Sequence, residues 1–311
     1  MNNKKLKVIF ITMGVSGVLH ALLEASINII GVIESKQRNP NKQTAELKDF
    51  CYKNKLPYYF MNEGCNDQLE SWIKKLEPDL IVVYCMSELL KNNILEIPKK
   101  GCINLHPTLL PNYRGYAPTF WTFYDYDLTP GVTVHYIDEG EDTGDIIYQE
   151  SYVLALGSTE NELVENLEYK IGAKLLIKAI NDIENDCAPR KKQPKESLTG
   201  RARKIHLEEY KNIVDWESWE IERVWHLLRG TQNWLNVFDF SEIKEVVVKW
   251  RILHFIKEDM NSQLKLGKVY KDTDGNYFLA CKQGKIYMEL LTESSRRRED
   301  GTNLSNSIIN A

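Results

Sequence analysis

Short, almost wholly apolar runs recur through the first third of the chain, separated by stretches in which apolar residues return every three or four positions. Residues 7–12, 29–33, 58–61 and 80–84 read as strands, the second interrupted only by Gly31. Residues 18–25, 44–54 and 68–76 read as helices. Strands that are apolar on both faces and alternate with amphipathic helices predict an α/β fold whose mostly parallel sheet is covered on both sides. In such sheets ligands collect at the carboxyl ends of the strands, so the loops after Thr12, Tyr84 and Ile103 should open onto one site.

The pattern changes near Gly131. Residues 132–137 and 146–149 predict two strands joined by an acidic turn over 139–145. Thr159 and Glu162 have capping-box spacing at the head of a long helix with Leu163, Leu167, Ile171 and Leu175 on one stripe. Pro189, Pro194 and the basic residues around them predict a solvated linker. Beyond it, Ile221, Val224, Trp225 and Leu228 mark a helix, and Asp274-Gly275 and Gln283-Gly284 read as hairpin turns between strands at 269–270, 278–281 and 286–290. This divides the chain into a catalytic unit (1–190), a linker (191–204), a smaller β-rich, barrel-like unit (205–293) and a tail (294–311) whose Arg296-Arg297-Arg298 run lacks apolar periodicity.

At 311 residues, 43% hydrophobic and 27% charged, the chain has enough apolar surface for one or two cored domains. A net charge of -4 offers no broad attraction to nucleic acid or to an anionic membrane. The apolar run after Lys4, Lys5 and Lys7 is short and lacks a small-residue cleavage pattern, so it reads as a first strand and the protein as cytoplasmic. The six cysteines are scattered without Cys-x-x-Cys spacing, which leaves zinc, redox and disulfide frameworks unsupported.

Candidate chemistry concentrates at Asn104-Leu105-His106-Pro107 and Asp142-Thr143-Gly144-Asp145. An amide can hold a developing oxyanion, an imidazole can move a proton, and a carboxylate can orient and charge-tune that imidazole. The loop 109–118 adds Arg114, whose planar fork suits a phosphate or carboxylate, and two tyrosines. His106, His135, Asp138, Asp142 and Asp145 alternatively offer a metal-hydrolase ligand set, disfavoured because His135 belongs to the next strand and can point away from His106.

Three segments in order carry a resemblance: Asn104-x-His106-Pro107-x-x-Leu110-Pro111-x-x-Arg114-Gly115-x-x-Pro118, Gly131-Val132-Thr133-x-His135, and Asp142-Thr143-Gly144-Asp145-Ile146. Together they resemble the 10-formyltetrahydrofolate-dependent formyltransferase family. The resemblance implies a Rossmann-like formyltransferase fold, catalytic roles for Asn104, His106 and Asp142, 10-formyltetrahydrofolate as formyl donor, and no metal. It implies donor binding by Met86, Ser87, Leu89 and Leu90 and by the turn Asp138, Glu139, Gly140 and Glu141. On the acceptor side it implies Arg114, Gly115, Tyr116 and Pro118, with Trp216 and Arg229 from the second unit. Ile213-Val214-Asp215-Trp216 resembles the start of the C-terminal unit of methionyl-tRNA and nucleotide-sugar formyltransferases, against the single-domain glycinamide ribonucleotide enzymes.

The acceptor amine is the open choice. The negative net charge, the short segment 34–42 with Lys36, Arg38 and Lys42, and the rings of Tyr113, Tyr116, Phe120, Trp121 and Tyr124 favour a nucleotide-linked amino sugar, such as a dTDP-amino-dideoxyhexose for surface polysaccharide. On that expectation there is no nucleic-acid or membrane partner, and Trp216, Trp219 and Trp234 could support a homodimer. Methionyl-tRNA is the alternative acceptor.

Overall fold

The computed structural model describes residues 5–36, 45–232, 234–260 and 263–292. Thr44, Arg38, Lys42 and the tail from Ser294 lie outside the described residues. Two compact units divide the chain. The first comprises Met1–Trp121, Thr129–Val153 and Leu163–Arg203; the second comprises Thr122–Leu128, Leu154–Glu162 and Lys204–Ala311. Segment 191–203, expected to be a linker, is part of the first unit, and two short excursions of the N-terminal stretch belong to the second.

In the first unit, seven strands form one sheet in the order β3-β2-β1-β4-β5-β6-β7. They are β1 (Val8–Thr12), β2 (Ile29–Ser35), β3 (Tyr58–Met61), β4 (Leu80–Val83), β5 (Cys102–His106), β6 (Gly131–Tyr136) and β7 (Ile146–Ser151). The first five pair in parallel, while β6 runs antiparallel to β5 and β7 antiparallel to β6. Helices α1 (Gly17–Glu24), α2 (Ala45–Lys53), α3 (Asp67–Leu76) and α4 (Asn92–Leu95) connect the parallel strands, and α5 (Pro118–Tyr124) precedes β6. Every residue of β1 and β4 is buried, as expected for strands packed on both faces. Ile9, Ile11, Ile33, Ile73, Ile81 and Val83 share one core cluster.

The long helix departs from its predicted stripe. The capping box forms, with Thr159 N donating to Glu162 Oε2 at 2.8 Å and Glu162 N to Thr159 Oγ1 at 3.3 Å. After α6 (Glu160–Leu163), the chain runs as a π-helix over Val164–Gly172 before α7 (Ala173–Glu184). Leu163 and Leu167 are buried as expected, but beyond the adjacent Glu168 burial resumes at Gly172, Ala173, Leu176, Ala179 and Ile180 rather than at Ile171 and Leu175. A five-residue step from 167 to 172 is what a π-turn accommodates and an α-turn does not. The same π segment buries Glu168, which accepts the Tyr84 hydroxyl at 2.5 Å behind the end of β4.

The second unit holds α8 (Ile221–Gly230) and an antiparallel sheet in the order β8-β11-β10-β9. Its strands are β8 (Val247–Lys257), β9 (Val269–Lys271), β10 (Tyr277–Cys281) and β11 (Gly284–Thr292). The three later strands and both hairpin turns lie where the sequence places them. β8 was not anticipated, because Ile252 is its one fully buried side chain and its alternation is weak. Helix α8 is tied to β8 by Trp225 Nε1 donating to Leu253 O at 2.9 Å and Arg229 Nη1 to Ile252 O at 3.0 Å.

Candidate active site

Asn104 and His106 stand two residues apart on β5 and therefore face the same side of the sheet. The antiparallel register sets His135 of β6 directly across from Asn104, and Thr133 across from His106. His135 thus faces the site instead of pointing away, with its ring centroid 6.3 Å from that of His106. Asp142 arrives from the turn between β6 and β7 with φ of 55°, a left-handed conformation that a short polar side chain tolerates. Gly144 completes this turn, and a Cβ there would collide with the Tyr136 carbonyl oxygen, so the close approach requires glycine.

Hydrogen-bond partners fix the ring states. His135 Nδ1 lies 2.8 Å from the Tyr136 carbonyl, which only accepts, so Nδ1 carries the proton. Burial pushes the His135 pKa down to about 4, with the Asp142 charge opposing, so the ring is neutral near pH 7. Its Nε2 lone pair accepts from Asn104 Nδ2 at 3.2 Å, which fixes the carboxamide rotamer and leaves a second amide N–H. His106 Nε2 donates to Tyr113 O at 3.1 Å, leaving Nδ1 as its basic nitrogen, 3.7 Å from Asp142 Oδ2. Asp142 Oδ1 lies 3.6 Å from His135 Nε2, and Oδ2 accepts from Gly115 N at 2.9 Å. One carboxylate thus sits between two imidazoles, beside an amide oriented by the second. This arrangement can stabilise an oxyanion and accept a proton within one centre. From sequence, His135 is a possible metal ligand and a member of the Gly131-Val132-Thr133-x-His135 segment with no assigned role; its pairing with Asn104 appears only in the strand register. Among the described residues, no group of three or more His, Cys, Asp or Glu side chains is placed to hold a metal ion.

The other predicted residues divide by what they touch. Arg114 is expected to grip an acceptor anion, yet its guanidinium donates to Gln193 Oε1 from Nε (3.1 Å) and Nη2 (2.7 Å), and also to Pro194 O and Lys195 O. Gly115 touches Asp142 directly, while Tyr116 is half-buried in the same loop and Pro118 is buried at the start of α5. Leu90 is 4% exposed within the sheet core and offers no face to a ligand, whereas Leu89 is 55% exposed and Met86 packs partly on that core. Ser87 Oγ donates to Lys36 O at 2.9 Å and joins the end of β2 to the loop after β4. In the acidic turn, Asp138 accepts from Gly140 N and Thr143 Oγ1, Glu139 from Asn92, and Glu141 pairs with Arg201.

In the second unit, Trp216 packs on Gly267, and Arg229 Nε donates to Gly157 O at 3.0 Å, so both are engaged within that unit. The aromatic residues offered for stacking are largely packing groups. Tyr113 and Phe120 are buried, Trp121 Nε1 donates to Arg203 O at 2.8 Å, and Tyr124 meets Trp219 edge-on. Trp219 also lies 3.8 Å beneath Arg223, whereas Trp234 is 36% exposed. No helix among the described residues is long and apolar enough to cross a membrane.

Comparison with known proteins places these features. Residues 7–180 match the formyl transferase family model. The methionyl-tRNA formyltransferase of Desulforamulus reducens is 30% identical over 288 residues, covering 90% of this chain and 88% of that protein. The methionyl-tRNA formyltransferase of Halothermothrix orenii is 33% identical over 231 residues, covering 73% and 72%. Among solved structures, the N-formyltransferase of Helicobacter canadensis in complex with folinic acid and dTDP-3-aminofucose superposes with a TM-score of 0.64 at 17% identity, over 92% of this chain and 99% of that one. At that identity the likeness is one of fold. The expectation of a nucleotide-linked amino sugar as acceptor, with no nucleic-acid partner, is therefore overturned: relatives such as those of Desulforamulus reducens and Alkaliphilus metalliredigens, about 30% identical over some nine-tenths of the chain, are methionyl-tRNA formyltransferases. With a family match over more than half its length and a relative 30% identical over 90% of it, the chain belongs to the formyl transferase family and is a formyl-transferring enzyme.

Proposed function

We propose that this enzyme moves the formyl group of 10-formyltetrahydrofolate to the amine of methionyl-tRNA, with Asn104, His106 and Asp142 as its reacting centre. The observation that carries the acceptor is sequence identity of about 30% over some nine-tenths of the chain to proteins of that name. A local charge pattern supports it. Arg190, Lys191, Lys192, Lys195, Arg201 and Arg203 fall in 190–203 with Glu196 as the one acidic residue, and Lys191, Lys192 and Lys195 are exposed. Gln193 Nε2 donating to Asp142 O, Thr199 Oγ1 accepting from Tyr113 N, and Ala202 donating to Arg114 O hold this basic segment against the loops that carry Arg114 and Asp142. Polyanion binding depends on one face, not on the net charge of the whole surface, which is why a chain of charge -4 is compatible with a tRNA partner.

In the reaction the amine nitrogen attacks the formyl carbon and the carbonyl oxygen gains negative charge. The carbon–N10 bond breaks as the carbonyl re-forms, the amine gives up a proton, and N10 takes one. The second N–H of Asn104, oriented by His135, is suited to the oxyanion. His106 is suited to accept the amine proton at Nδ1, where the imidazolium faces Asp142. The donor fits the loop after β4 through Met86 and the exposed Leu89, and the turn Asp138–Glu141 through its backbone; Leu90 is left to the core.

The test supplies purified enzyme with 10-formyltetrahydrofolate and, separately, methionyl-tRNA and a panel of dTDP- and UDP-amino sugars. Formylation of methionyl-tRNA is expected, with affinity falling steeply as salt rises and a shallower salt slope after Lys191, Lys192 and Lys195 are replaced together by Ser. Turnover of an amino sugar with none of the tRNA would overturn the assignment.

A further inference from the structure

The Gln193 carboxamide is hydrogen-bonded at every position it has. Its Oε1 accepts twice from Arg114, and its Nε2 donates to Asp142 O at 2.9 Å and Gly144 O at 2.7 Å. Both donors and both acceptor sites are filled, which is the geometry of a side chain that fixes its neighbours and binds nothing further. The groups it joins each hold part of the reacting centre. The Arg114 loop presents Tyr113 O to His106 and Gly115 N to Asp142, and the turn after β6 carries Asp142 itself. The same loop is pinned by Tyr113 N donating to Thr199 Oγ1 at 2.7 Å and by Ala202, which donates to Arg114 O and accepts from Ala117 N, each at 2.8 Å.

We infer that Gln193 is a positioning residue, clamping the Arg114 loop to the Asp142 turn and so setting the distance and angle between the Asp142 carboxylate and His106. On this account Arg114 acts through Gln193 to shape the centre rather than by gripping an acceptor anion. Asp142 needs such support because it is held in a left-handed conformation at the tip of a turn, where its side chain has one backbone donor, Gly115 N, to fix it. The inference rests on the formyl-transfer reading for its catalytic consequence but not for its geometry.

The test compares Gln193→Glu and Gln193→Ala with the unmodified full-length protein. Gln193→Glu keeps an acceptor for Arg114 but sets a carboxylate against two carbonyl oxygens; Gln193→Ala removes the clamp altogether. Two readouts are taken: steady-state formylation, and the imidazole NMR titration of His106, whose facing charged or titratable groups are Asp142 and His135. The expected result is a kcat lower by about 10- to 100-fold with each KM changed less than about threefold, together with a displaced His106 titration in both variants. If the variants titrate His106 on the same curve as the unmodified protein, or retain kcat within about twofold, the inference is overturned. Should the unmodified protein formylate no acceptor, the functional assignment fails while the NMR comparison still decides the role of Gln193.

Discussion

His135 shows how one residue changes the meaning of another. Buried and neutral, it donates from Nδ1 to a carbonyl and accepts from Asn104 at Nε2, so the amide of Asn104 has one orientation in which an N–H remains available. Replacing Asn104 by Ala removes that donor and should lower kcat by about 100- to 1000-fold. His135→Leu removes only the orientation and should cost less, and the double variant should cost no more than Asn104→Ala alone, since two groups acting as one unit are not additive. Single-turnover rates of the three variants check this; additive losses would assign His135 a separate role. The motif segments and their order point to the trio, but not to the His135 contact with Asn104 or to Gln193, because the first depends on strand register and the second on where a distant segment lies.

At the scale of elements, the parallel strands, the three longer connecting helices and the two terminal hairpins were legible, because continuous apolar runs, amphipathic periodicity and Gly-bearing turns are local signals, whereas the four-residue α4 was not. The π segment was not: its five-residue step serves a tertiary contact in which Glu168 reaches Tyr84 behind β4. Burial and the Glu168 charge raise the Tyr84 pKa, so Tyr84 stays a phenol and donates. Tyr84→Phe therefore removes a donor from a buried carboxylate, and should destabilise the first unit by roughly 1.5–3 kcal/mol, the range for hydrogen bonds to charged groups. Chemical denaturation of the variant and of Tyr84→Phe/Glu168→Leu tests this: the double variant should regain part of the loss. The segment expected as a linker over 191–204 is a parallel case, since 191–203 is built into the first unit.

For the whole molecule, acid sensitivity follows from two buried histidines, one in each unit. His226 accepts Gly157 N–H at Nδ1 (3.0 Å), and burial pushes its pKa down to about 4, as it does for His135. Both start from a value of 6.5, so between about 6.5 and 4 the unfolded chain binds more protons than the folded one. Their contribution to stability is complete above that window and is lost as pH falls through it. Unfolding midpoints at pH 7, 5.5 and 4.5 should decline, and His226→Gln, which keeps an acceptor for Gly157, should flatten the decline of the second unit's transition alone. The sequence by itself determined the α/β class and the family motifs, which offer Asn104, His106 and Asp142 as candidates, because strand periodicity and motif spacing are properties of contiguous residues. Only the tertiary structure decided that His135 orients Asn104 and that Gln193 binds Arg114 to the Asp142 turn, because strand register and segment packing are set by contacts between residues far apart in the chain.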